Sequence, residues 1–189
     1  MKYSEVKCMK KLICILLILS FLCILLTGCY RIDSKSQTDY PDFYKKMSTV
    51  MPTAYAMLPA PDSMESIDDI YLYYSDYDLI DSYYTIYLEC SFTSDQYEIE
   101  KQRVTDNASQ YDFTLYNSES FSYDSVYINQ CIEHDSSGFL AIQISYTLFD
   151  NKNCKIIYVA TFEEGTKSEW KTSYIPDKYL PGNLVDLIK

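Results

Sequence analysis

The chain has 189 residues, 48% of them hydrophobic, with 16 Lys and Arg against 27 Asp and Glu and a net charge of −11. That length suits one domain with its own core and is too short for the two lobes of a clamshell solute-binding protein. The acidic balance argues against nucleic-acid binding and against a polybasic grip on anionic lipid, both of which need clustered cations.

In chain order, the first segment has the parts of a secretory signal. Lys2, Lys7, Lys10 and Lys11 form a positive head opposed only by Glu5, and residues 12–26 are apolar except for Ser20. The run is short of the roughly 20 apolar residues that span a bilayer. Met9-Lys10-Lys11 would already start a complete signal. The run ends in Leu26-Thr27-Gly28-Cys29, an aliphatic residue, two small residues and a cysteine. This resembles the lipobox of bacterial lipoproteins. The resemblance implies a diacylglyceryl thioether on Cys29 and peptidase cleavage just before it, with Leu26, Thr27 and Gly28 as the recognition residues. Two acyl chains anchor stably where one holds only marginally.

Cleavage there leaves residues 29–189, 161 in all, with 12 Lys and Arg against 26 Asp and Glu and 20 of the 21 tyrosines. Tyrosine suits half-buried strands, being apolar in body and polar at its tip, and it also suits recognition surfaces. Strand packing is the expected use here. Cys8, Cys14 and Cys23 leave with the signal, so Cys90, Cys131 and Cys154 remain as thiols that permit at most one internal bridge.

Residues 29–40 carry the lipidated cysteine and then a polar stretch without periodicity, expected as a tether. Residues 41–189 are expected to form a single α+β domain. Pro41 suits the start of a helix, and Phe43, Met47, Val50 and Met51 make one apolar stripe before Pro52 stops it. Residues 53–64, with Pro59 and Pro61, read as a loop. Strands are expected at 69–74 and, most clearly, at 83–93, where Ile86, Leu88, Cys90 and Phe92 share a face. That parity makes Cys90 a core residue and sets Cys131 beside Asn129 and Glu133 on a polar side.

Asp95 with Glu98 reads as a capping box opening a helix over 96–108, its stripe formed by Tyr97, Val104, Ala108 and the stem of Lys101. Strands follow at 111–117, 120–133, 138–149 and 154–163, joined by short polar turns that imply antiparallel neighbours. The expected architecture is an antiparallel sheet of five or six strands with one or two covering helices. Beyond the lipobox, the plan is similar to small uncharacterised lipoproteins of Gram-positive bacteria.

No catalytic, metal or cofactor site is expected. His134 sits between Glu133 and Asp135, and on a strand it points away from Cys131. Tyr97-x-x-x-Lys101 and Ser168-x-x-Lys171 copy the spacing of dehydrogenase and penicillin-binding motifs, but the companion motifs are absent. Asp76, Asp78 and Asp81 read as solvated turn carboxylates, without the order or glycine of an EF-hand. The expectation is a membrane-anchored extracytoplasmic lipoprotein that binds or supports an envelope protein or glycan without catalysis. The alternative is a wall-active hydrolase using paired carboxylates, whose separation cannot be read from sequence.

Overall fold

The computed structural model describes residues 30–77, 81–117, 123–134, 140–165 and 175–180. In chain order these form β1 (Tyr30–Ser34), a 3-10 turn (Gln37–Asp39), α1 (Tyr40–Val50), α2 (Pro52–Met57), β2 (Ser66–Tyr77) and β3 (Asp81–Ser91). Then come α3 (Ser94–Gln110), β4 (Thr114–Asn117), β5 (Ser125–His134), β6 (Leu140–Asp150), β7 (Lys155–Gly165) and a 3-10 turn at Asp177–Tyr179. All seven strands join one antiparallel sheet in the order β1-β2-β3-β7-β6-β5-β4.

The α+β class and the antiparallel sheet agree with the sequence reading. Among the described residues the sheet has seven strands where five or six were expected, and there are three helices where one or two were expected. The extra strand is β1, drawn from the stretch read as a tether. Its residues pair with β2 from Tyr30 opposite Asp76 to Ser34 opposite Leu72, and Ile32 packs against the core. Backbone pairing to an open sheet edge needs no apolar run, which is why a polar segment could take this place. The segment ends at Tyr40, which is buried and donates its Oη to the Pro59 carbonyl at 2.6 Å. The extra helix is α2. Pro52 ends α1 as expected, but the missing N–H of proline is harmless at a helix start, so it also opens the next helix.

The chain leaves β3 through α3, which crosses one face of the sheet and delivers β4 to the far edge. Helix α3 begins two residues earlier than expected. Its cap is Thr93 rather than Asp95, and Gln96 closes the box by accepting from the Thr93 N–H at 3.3 Å. On the helix-bearing face, Leu72, Tyr74, Ile86, Leu88, Cys90 and Tyr158 pack with Phe43, Met47, Met57, Tyr97 and Val104. The opposite face is buried too. Tyr71, Tyr87, Val126, Tyr146, Leu148 and Val159 lie beneath Ile175 and Tyr179 of the C-terminal segment. Central strand β7 is therefore enclosed on both sides, and every residue from Ile156 to Thr161 is buried.

Of the 17 tyrosines whose side chains are described, nine are buried and eight are half-buried. Tyrosine here is core material, as the strand-packing reading held. Cys90 is fully buried, and Cys90 and Cys154 are free thiols. Some hydroxyls are buried without a hydrogen-bond partner among the described residues, including those of Ser145 and Thr147. An unpaired buried hydroxyl is costly, and an apolar group of the same shape removes that cost. Thr147→Val should therefore raise stability by about 1 kcal/mol in chemical denaturation. A loss of similar size would show that Thr147 Oγ1 does have a partner.

Candidate functional site

The densest charged cluster lies where β2, β3 and β7 meet the C-terminal segment. A bulge in β2 between Ile67 and Asp69 breaks the strand alternation. It lets the consecutive residues Asp68 and Asp69 both reach the same group of lysines. Asp69 stands directly opposite Glu89 on β3, a like-charge pairing that destabilises a sheet unless it is neutralised. Lys178 Nζ bridges the two at 3.1 Å and 3.2 Å. Tyr179 Oη lies 2.9 Å from Asp69 and 2.6 Å from Glu89. Lys155 Nζ joins Glu89 at 2.6 Å to Asp68 at 2.8 Å, and Ser91 Oγ donates to Asp68 at 2.5 Å.

Burial alone would push the Glu89 carboxyl up. The bonds from Lys155, Tyr179 and Lys178 outweigh it and hold the group below its ordinary value. Asp68 follows the same balance, with Lys155 and Ser91 overcoming burial. Lys155 is raised by its bonds to Asp68 and Glu89. Tyr179 is raised by burial and by the two carboxylates it faces. The cluster is thus a set of stabilised charges that fastens the C-terminal segment over the second sheet face.

A second network lies on the helix-bearing face. Glu100 of α3 is 5% exposed. Its Oε1 accepts from Arg103 Nη2 at 2.6 Å and from Tyr158 Oη at 2.7 Å, and its Oε2 accepts from Arg103 Nε at 2.8 Å. Arg103 also donates to the carbonyls of Ala56 and Met57 at 2.7 Å and 2.8 Å, and Asn107 Nδ2 donates to Ala56 at 2.5 Å. These carbonyls end α2, where the helix leaves acceptors open and a cation is favoured. The network is structural and its donors are committed.

The lipobox residues Leu26, Thr27, Gly28 and Cys29 lie outside the described residues, as do Asp78, Ser168 and Lys171. The β5 register sets Cys131 opposite Gln143 and His134 opposite Leu140, placing the two residues on opposite faces. Tyr97 and Lys101 do come together, but around Asn151 Oδ1, at 2.7 Å and 2.8 Å. Burial raises the Tyr97 phenol, the reverse of what a catalytic base needs. A cleft of about 280 Å³ at β1 is lined by Arg31, Ile32, Asp33, Ser34, Asp39 and Asp42. Arg31 is already paired with Asp33 there at 2.9 Å. Among the described residues, no group of His, Cys, Asp and Glu is arranged to hold a metal ion.

The sequence reading missed both networks. A signal existed for each: Glu89 interrupts the most apolar strand, and Glu100 stands in the buried stripe of α3 with Arg103 three residues on. No family model matches the chain, and no curated protein or solved structure is significantly similar to it.

Two outcomes follow. Glu100→Ala takes the counter-charge from Arg103 and the acceptor from Tyr158, and should cost about 3 kcal/mol in chemical denaturation, near the lower end for a broken buried pair. Arg103 keeps 33% of its side chain exposed, which limits the loss. Glu89 and Asp68 are lowered on folding, so their contribution is present above the unfolded carboxyl values of about 4 and disappears as pH falls through the folded ones. Glu89→Gln should therefore destabilise the domain at pH 7 and much less at pH 3. An equal penalty at both values would mean that Glu89 is not a stabilising charge.

Proposed function

We propose that the chain is a bacterial lipoprotein, anchored outside the cytoplasm by a diacylglyceryl group on Cys29, whose domain binds or supports an envelope protein or glycan without catalysis. The observation that carries the reading is Leu26-Thr27-Gly28-Cys29 at the end of a charged head and an apolar run. A cysteine there supplies the only thiol in the motif that can form the thioether, and small neighbours suit a narrow peptidase site.

The non-enzymatic half of the reading is supported by the state of the acids. The pair best placed for a hydrolase is Asp69 with Glu89, and both are engaged by Lys178 and Tyr179. Glycoside hydrolysis needs one carboxyl raised so that it can donate a proton. Glu89 is lowered instead. Glu100 is closed by Arg103 and Tyr158.

Cys29→Ala should abolish incorporation of labelled fatty acid and leave a precursor that keeps its leader. If the variant is still labelled and still cut before position 29, the anchor reading fails. Crosslinking the anchored protein in its own membranes should then recover one envelope component in stoichiometric amount. Turnover of wall glycan that Glu89→Gln abolishes would move the hydrolase ahead.

A further inference from the structure

The position of β1 carries a consequence for how such an anchor would hold the domain. Strand β1 begins at Tyr30, the residue after the lipidated cysteine, and every residue of it is paired with β2. It is held further by Ile32 against the core, by the Arg31 guanidinium 5.5 Å from the Tyr73 ring centre, and by Gln37 Nε2 donating to the Ile67 carbonyl at 2.5 Å. The path from the lipid-bearing residue to the sheet is thus one Cα step, about 3.8 Å. A tether of ten residues would have let the domain tumble well clear of the surface.

The register says which end of the sheet is held. Tyr30 pairs with Asp76 near the end of β2, and Tyr77 pairs with Asp81 at the start of β3. Gly165 closes β7 at that same end, opposite Leu140 of β6, and His134 closes β5 there. The other end carries Ser66, Ser91, Lys155 and the Asn151–Cys154 turn, with the Asp68–Glu89–Lys155 cluster beside it. Seven residue steps along β2 lead from Asp69 to Asp76, roughly 23 Å at about 3.3 Å per step.

Resting on the lipoprotein reading above, we propose that the domain is mounted directly on the bilayer. The strand end that carries Tyr30, Tyr77, Asp81 and Gly165 lies against the lipid headgroups, and the Asp68–Glu89–Lys155 cluster faces away from them. The occupant beside Tyr30 is the headgroup layer of the membrane that receives the acyl chains, because one Cα step separates the lipid-bearing residue from β1. Any partner then meets the far end at a fixed height of one domain length.

The test uses the full-length protein, matured in its own membranes and transferred to phosphatidylcholine–phosphatidylglycerol vesicles. Some of the vesicle lipids carry a headgroup-linked quencher. A fluorophore is placed on Ser82→Cys or on Lys152→Cys, with Cys131→Ser and Cys154→Ser throughout, since Cys90 is buried. Position 82 lies opposite Asp76 at the held end and position 152 lies in the far turn. Mass spectrometry of the Cys29 peptide first reads the anchor. Strong quenching at 82 with little at 152 is the expected result. A Gly-Ser insert of twelve residues after Cys29, spanning about 20 Å, should bring the two positions toward equal quenching. Equal quenching without the insert, on a lipidated Cys29, would overturn the mount and leave the anchor standing. An unmodified Cys29 would overturn the anchor and the mount together.

Discussion

A carboxyl group taken out of water needs partners for both of its oxygens, and Glu100 is the point at which this fold supplies them. Its two oxygens receive Arg103 and Tyr158, so one side chain ties α3 to the central strand β7. The same guanidinium continues to the last carbonyls of α2. A helix of six residues is far too short to be stable alone. It exists here because α3 supplies the donors that its end lacks and because Ala54 and Met57 are buried beneath it. Since α3 is also the crossover from β3 to the far edge, its seating helps to decide where β4 lies and how wide the sheet becomes.

The two faces of the sheet solve one problem in parallel ways. Both networks consist of a glutamate, a tyrosine hydroxyl and a cation: Glu100 with Tyr158 and Arg103, and Glu89 with Tyr179 and Lys178. Tyrosine is the residue that makes this economical, because its ring joins the apolar core while its oxygen ends at a carboxylate. The two sites differ in exposure, and the difference sets their strength. Glu100 is enclosed, whereas Lys178 keeps 55% of its side chain in solvent. The second network is thus screened by water and salt, and it fastens a surface segment rather than a helical layer.

Much of this fold could be read from residues alone, for a physical reason. The helix-facing residues of β3 recur at every second position, so Ile86, Leu88 and Cys90 disclose the strand, although Thr85 and Tyr87 between them are buried too. The stripe of Phe43, Met47 and Met51 discloses α1 in the same way. What escaped was built by backbone groups or by charges. Strand β1 is polar, and its place is decided by hydrogen bonds to an open edge. Helix α2 depends on donors lent by Arg103, some 46 residues away. The cover on the second face comes from Ile175 and Tyr179, brought from an irregular segment by acids on two distant strands. Asp69 and Glu89 gave no joint signal because only the β2–β3 register brings them together. On the proposed reading, the segment Leu26-Thr27-Gly28-Cys29 is legible for the opposite reason: a peptidase would read it as a short linear segment, without any fold.

On the proposed reading, an acidic domain and a lipid anchor divide the work of staying at a membrane. With 26 acids against 12 bases in residues 29–189, the protein gains nothing from an anionic surface, which attracts polybasic segments and not acidic ones. Attachment must then come from buried methylenes, at roughly 0.8 kcal/mol each. Charge repulsion would lift a freely tethered domain away from such lipids. On that reading, a strand that starts one residue after the anchor limits that freedom, because β1 is paired with β2 along its whole length. On the proposed reading, the hydrogen bonds of a five-residue edge strand transmit the hold of the lipid to the whole domain, and they do so without a single basic patch.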